Sequence, residues 1–203
     1  MASFALFGIS VSRGISIGRA HLIAHAAMDT KHYLVPQEAE VERLQQALST
    51  VQKELETIWS NLPVDAPVEL GAFLDVHAMI LADSMISKES FNIIRTRRYN
   101  AEWALLTQIE ELSAKFDHIE DPYLRERKAD IQQVSERIMK VLTGTPTDYH
   151  PVSPESDSER VDMIVVAYDI SPADMLQFRD DTFCGFVSEI GGRNSHAAIV
   201  ARS

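Results

Sequence analysis

The residues with the clearest chemical potential lie in EIGGRNSHAAIVARS, Glu189 to Ser203. Gly191 and Gly192 form a diglycine step, Arg193, Asn194 and Ser195 follow, and His196 stands just ahead of the small and aliphatic run Ala197 to Ala201. The apolar run Phe183, Phe186, Val187 and Ile190 before the glycines predicts a buried strand, so the order is strand, tight turn, helix start. Glycines there allow positive φ and let a bulky anion come close. Asn194 or Ser195 can cap the helix, whose free N–H groups and dipole favour a negative ligand. At such a positive end an imidazolium is disfavoured, which leaves His196 a neutral ring with a nitrogen lone pair for nucleophilic attack. Arg193 adds a fixed charge suited to phosphate oxygens. These types and spacings suggest a histidine that accepts a phosphoryl group. A capping or packing histidine beside a common Gly-Gly turn explains the same residues, and on the residues alone both readings stand.

The elements that must position this histidine come from two parts of the chain. Residues 4–24 (FALFGISVSRGISIGRAHLIA) carry β-branched and aromatic residues with Gly8, Gly14 and Gly18 between them, which predicts short strands joined by turns. Asp162 to Ala167 is a continuous apolar run fit for a buried strand, and SPADMLQF can open a short helix with Ser171 as cap and Pro172 behind it. With the strand before the glycines and the helix after His196, this is a β-α-β-α order typical of an α/β layer. Residues 144–160 are rich in Pro, Ser, Thr and acidic side chains and read as a linker.

Between these parts the periodicity changes. From Gln37 to Trp59, Val41, Leu44, Leu48, Val51, Leu55 and Ile58 recur at the three-to-four step of an amphipathic helix with an acidic first turn. Further helices are predicted over Val68 to Ala82, Ile86 to Arg97 and Ala101 to Phe116. A last one runs from Asp121-Pro122 to about Leu142, closed by Gly144. Consecutive amphipathic segments with short connections predict a helical bundle. The expected architecture is a discontinuous α/β domain, residues 1–34 and 144–203, with an all-α bundle, residues 35–143, inserted between its halves.

The composition bounds the class. The chain has 203 residues, 45% hydrophobic and 24% charged, enough for one large or two small cores. A formal charge of -11 argues against nucleic acid and anionic membrane and favours a basic protein partner. No apolar run approaches the length of about 20 residues that spans a bilayer. The N-terminus has no basic leader, so the expected place is the cytoplasm. Cys184 has no second cysteine to pair with, and in an apolar strand it is expected to pack. His21 and His25 are four apart, a metal-binding spacing on a helix, but the stretch reads as strand and no metal site is expected.

Longer patterns add a resemblance. GGRNSHAAIVARS resembles the phosphohistidine signature of the PEP-utilising enzymes, G-G-x-T-x-H followed by small and aliphatic residues and Arg, with Asn194 at the usual Thr. GISVSRGISIGRA resembles the opening strand and turn of the Enzyme I branch, the PEP-protein phosphotransferases of the bacterial phosphotransferase system, with Arg13 where that branch often has Pro. LDVHAMILAD and DPYLRERKADIQQVSERIM resemble two of its helices, and VAYDISPADMLQF the strand and turn that precede its active histidine.

The resemblance implies that His196 is nucleophile and phosphorylated intermediate, taking phosphate from phosphoenolpyruvate and handing it to a histidine on the small carrier HPr. Gly191, Gly192, Arg193, Asn194 and Ser195 would surround the phosphate, and Ser171 would hydrogen-bond the unphosphorylated ring or serve only as a helix cap. The bundle would be the HPr-docking domain, with Asp75, His77, Met79, Asp83, Met85, Tyr123, Leu124 and Arg127 at carrier-contact positions. His77 and Met79 could equally pack between helices, and Asp83 could be a solvated charge. Family members continue into further strands and a barrel that binds phosphoenolpyruvate and magnesium. Ending at Ser203, the chain reads as a fragment with no cofactor or metal of its own. It is expected to be monomeric, unable to phosphorylate itself from phosphoenolpyruvate, and less stable in its α/β part than in its bundle. The swivelling histidine domain of a dikinase or PEP synthase is a second reading, opposed by the helical insertion, and a non-catalytic docking module a third. Sugar and nitrogen branches are not distinguished.

Overall fold

A computed structural model describes residues 3, 5–23, 32–62, 64, 66, 68–117, 122–144, 162–168, 170–171, 175, 183–189, 192, 198–199 and 202; at 117 and 122–127 it describes the helical backbone alone. The chain divides into two compact units. One comprises Met1–Ala26, Asp65–Leu70 and Tyr149–Ser203, the other Ala27–Val64 and Gly71–Asp148.

The first unit carries a three-stranded parallel sheet, β1 (Arg19–Ile23), β2 (Met163–Ala167) and β3 (Phe183–Ser188), in the order β1-β2-β3. Arg19 pairs with Met163 and Met163 with Phe183, so the strand from the start of the chain lies beside strands from its end. The α/β unit is therefore discontinuous. Parallel pairing suits β2, whose apolar run MIVVA buries Val165 and Ala167. Ile170 and Met175 complete the core there, with Ile23, Phe183 and Phe186 packed against it.

Gly18 is required where β1 begins. The Arg19 N–H donates to the Asp162 carbonyl at 2.8 Å, and a Cβ on Gly18 would stand 2.5 Å from that same oxygen. Two expectations are corrected here. The described residues of 5–18 form no strand, and Leu6, Phe7, Ile15 and Ile17 are exposed, because strand propensity alone does not supply a neighbouring strand to pair with. Cys184 does not pack inward; it is exposed on β3 and its thiol donates to the Met163 carbonyl at 3.4 Å. His21 is half-buried with its ring edge against Phe183, and His25 lies outside the described residues.

The second unit is a helical bundle of α1 (Gln37–Ser60), α2 (Val68–Ala82), which enters this unit at Gly71, α3 (Ser84–Arg97), α4 (Ala101–Asp117) and α5 (Pro122–Thr143). The apolar stripes predicted from the sequence are the buried faces: Val41, Leu44, Val51 and Leu55 on α1, Val134 and Ile138 on α5. α1 packs on α3, α4 and α5, and α4 packs on α3 and α5. Gly144 ends α5 at φ 66°, a left-handed conformation that favours glycine.

A polar network joins α1 to the start of α4. Glu40 accepts from the Ala101 N–H at 2.8 Å, satisfying one of the donors that a helix N-terminus leaves unmet. Arg43 bridges Glu40 and Glu102, and the Asn100 amide donates to Glu102 at 2.8 Å. With Glu40, Glu102 and Asn100 all buried, the arginine keeps two carboxylates from facing each other uncompensated.

The stretch Val68–Arg97 is, by length and composition, apolar enough to cross a membrane, which a search for unbroken apolar runs overlooks. It is divided into α2 and α3 at Asp83, and Phe73, Leu74, Ile80, Leu81, Ile86 and Ile94 are buried within the protein, as in core helices of a bundle.

Candidate functional site

In open α/β sheets ligands bind beyond the carboxyl ends of the strands, where loops and helix starts converge. Here that edge is formed by the ends of β2 and β3. Ala167 closes β2 and Ser188 closes β3, and the Glu189 N–H reaches back to the carbonyls of Ala167 and Tyr168, both at 3.1 Å. The two exits are thus tied together. Because the strands are parallel neighbours, the segment with Ser171 and the segment with Gly192 leave the sheet from the same edge.

Ser171 is buried, and its carbonyl accepts from the Met175 N–H at 3.0 Å, the first turn that the Ser-Pro pair predicts. Ser171 as a whole is withdrawn from solvent. Gly192 is half-buried with nothing within 4 Å of where a Cβ would stand. Beyond it Ala198 is buried, residues 198–199 are helical, and the Arg202 N–H bonds the Ile199 carbonyl at 3.2 Å, as the predicted helix requires. His196, Gly191, Arg193, Asn194 and Ser195 lie outside the described residues. What is described of this end of the sheet is a buried serine after β2, a half-buried glycine after β3, and helical residues at 198–199.

The bundle carries a second set of sequence-predicted residues. Asp75 and Met79 are four residues apart, which stacks them on one side of α2, and both are exposed, Met79 at 63%. Asp83, in the break after α2, is exposed too, and Met85, in the first turn of α3, is 48% exposed. Asp83 has a structural task as well, because its carboxylate accepts from the Met85 N–H at 2.8 Å and caps α3. That cap starts the helix at Ser84, two residues before the apolar pattern does.

His77 is corrected. It is wholly buried, its ring centroid 3.9 Å from that of Phe73 and its Nε2 3.9 Å from an Asp130 oxygen on α5. A partner protein cannot touch it. The spacing contained this outcome, since His77 follows Phe73 by four residues and precedes Ile80 and Leu81 by three and four, the buried face of α2. Tyr123, Leu124 and Arg127 fall on the helical backbone of α5, with side chains outside the description.

Sequence reasoning passed over Gln108. This α4 side chain is 4% exposed and its amide donates to the Met85 carbonyl at 2.8 Å. The available signal was a polar residue on an apolar stripe, with buried Ala104 and Leu105 one turn before it and Leu112 one turn after.

Residues 7–127 match the family model described as PEP-utilising enzyme, N-terminal, and residues 160–203 match PEP-utilising enzyme, mobile domain. The chain belongs to the PEP-utilising enzymes. Within that family it is 59% identical to a phosphoenolpyruvate-protein phosphotransferase of Cupriavidus necator, over 98% of this chain and 35% of the relative. It is 34% identical to the same-named protein of Listeria innocua, over 98% of this chain and 34% of that one. The chain thus spans about a third of the length of these curated relatives. Among solved structures, an NMR solution structure of Enzyme I matches with a TM-score of 0.72 at 27% identity, over 96% of this chain and 77% of that chain. The N-terminal domain of Enzyme 1 - Nitrogen matches with a TM-score of 0.67 at 25% identity, over 96% and 78%. The architecture, a parallel α/β unit with a helical bundle inserted in its sequence, is that of the Enzyme I N-terminal region within the PEP-utilising enzymes.

Proposed function

We propose that His196 accepts a phosphoryl group and exchanges it with a histidine on a small HPr-like carrier, which docks on the exposed side of α2 and α3. The observation that carries this reading is the 59% identity, across 98% of the chain, to a relative named phosphoenolpyruvate-protein phosphotransferase. It is supported by the described ends of the parallel strands, where a buried serine follows β2 and a half-buried glycine follows β3, four residues before His196 in sequence.

In each step a neutral imidazole nitrogen attacks phosphorus. On entry from phosphoenolpyruvate, the bond to the enol oxygen breaks as the N–P bond forms, and enolpyruvate leaves. On transfer to the carrier, the N–P bond at His196 breaks as a new one forms on the carrier's ring, and His196 regains its lone pair. Little covalent work falls to the surrounding protein, so positioning and charge stabilisation dominate. Arg193 and the helix N–H groups after the glycines would hold the phosphoryl oxygens, and Ser171 would orient the unphosphorylated ring. Handling of phosphoenolpyruvate, with magnesium, would fall to regions that the longer relatives carry outside the matched span.

On the bundle, Met79 and Met85 offer flexible apolar contact between the carboxylates of Asp75 and Asp83, a surface that suits a basic partner, and the overall charge of -11 would steer its approach. Tyr123, Leu124 and Arg127 extend the same proposal to α5, while His77 drops out of it.

The test is incubation of the chain with phosphorylated carrier, followed by peptide mapping in the mass spectrometer. Wild type should take up one acid-labile phosphoryl group on His196. His196→Ala should lose the label while keeping carrier affinity. Label persisting in that variant, or none reaching wild type, would overturn the assignment.

A further inference from the structure

We infer that Gln108 is a positioning residue for carrier recognition, acting through the Met85 peptide; the inference rests on the docking reading above. Met85 stands at the α2–α3 break, and both polar groups of its backbone are held by side chains. Asp83 takes the N–H at 2.8 Å and Gln108 supplies a donor to the carbonyl at 2.8 Å. One clamp comes from the chain just before, the other from a different helix.

A buried amide on α4 is not explained by packing. Its neighbours on that stripe, Ala104, Leu105 and Leu112, are buried and apolar, so a methionine or leucine would fill the space without the cost of taking an amide out of water. The Met85 carbonyl belongs to the first turn of α3, where the helix itself supplies a partner, and a carbonyl oxygen has a second lone pair to offer. The Gln108 bond is therefore additional to the helix ladder. What it fixes is the place of the Met85 backbone relative to α4. Ile86 is buried beside it, while the Met85 side chain is about half exposed and free to meet a partner. A flexible thioether on a doubly held backbone can adapt at its tip while its base stays in register, which lowers the ordering cost of docking.

The experiment compares wild type, Gln108→Met, Met85→Ala and the double variant in single-turnover transfer to this chain, taking KM as the concentration of phosphorylated carrier that gives half the limiting rate and kcat as that limiting rate. Gln108→Met keeps volume and removes the donor. It should raise KM three- to tenfold with kcat within twofold of wild type, and the double variant should be no worse than the poorer single. Effects that multiply, or a wild-type KM for Gln108→Met when Met85→Ala raises KM, would overturn the role of Gln108. Should Met85→Ala itself leave KM unchanged, the docking face is misplaced and the inference falls with it. Gln108→Glu gives a second readout if the methionine variant fails to fold. Its carboxyl can donate to the Met85 carbonyl only when protonated, and burial raises its pKa, so its KM should climb with pH where that of wild type does not. A flat profile for the glutamate variant would count against the proposal.

Discussion

The bundle and the sheet bury their apolar residues to different depths. In the bundle, Leu44 and Val51 on α1, Leu105 on α4 and Ile138 on α5 are all wholly or almost wholly buried, and a charged network ties α1 to α4. In the sheet unit the described core is Val165, Ala167, Ile170 and Met175, while Leu6, Phe7, Ile15, Ile17 and Leu22 are exposed. A deep core makes opening expensive, and a thin one lets segments open at little cost. Among the described residues the bundle has more apolar burial to lose by opening than the sheet unit, and the expectation is that the sheet unit opens first.

Three substitutions would break or sharpen this contrast. The largest effect is expected in the bundle, where Ile138→Ala removes a wholly buried side chain and should cost about 3 kcal/mol, read as a lower denaturant midpoint of the helical circular-dichroism signal. Next, Gly18→Ala sets a methyl against the Asp162 carbonyl and should cost about 2 kcal/mol in the sheet unit. Amide exchange should then quicken in β1 and β2 while α4 and α5 stay protected. Equal protection of β2 and α5 in the unaltered chain would erase the contrast altogether. The smallest effect is expected for Gly144→Ala, which forces a left-handed residue at the end of α5 and should cost about 1 kcal/mol, seen as a small fall in Tm.

The helices were legible because burial imposes a period. On α1 the three-to-four step of Val41, Leu44, Val51 and Leu55 is the buried face itself, and on α4 and α5 the predicted spans fall within one residue of the helices. β2 and β3 were legible as apolar runs between turn residues, but β3 is not the buried strand its run predicts: none of its residues is buried and Val187 is 51% exposed. The N-terminal stretch was not, because residue types that favour strands say nothing about whether a neighbour is there to pair. Of the candidate site, β3 and the helical residues 198–199 match the expected strand and helix, while the turn between them and His196 lie outside the described residues. His77 was misplaced by position in a family pattern, although Phe73 and Ile80 at helical spacing put it on the inner face. Gln108 and the Glu40–Arg43–Glu102 network escaped because their meaning lies in partners 23 to 61 residues away, and one-dimensional spacing does not record such distances.

The pairing of Arg19 with Met163 has a consequence for synthesis. At the ribosome, β1 emerges first but must wait for roughly 140 more residues, about ten seconds or more at ordinary translation speeds, before its parallel neighbour exists. The helices, whose contacts span shorter stretches of chain, can form during that wait, so the sheet is the part of the described fold that closes last on the nascent chain.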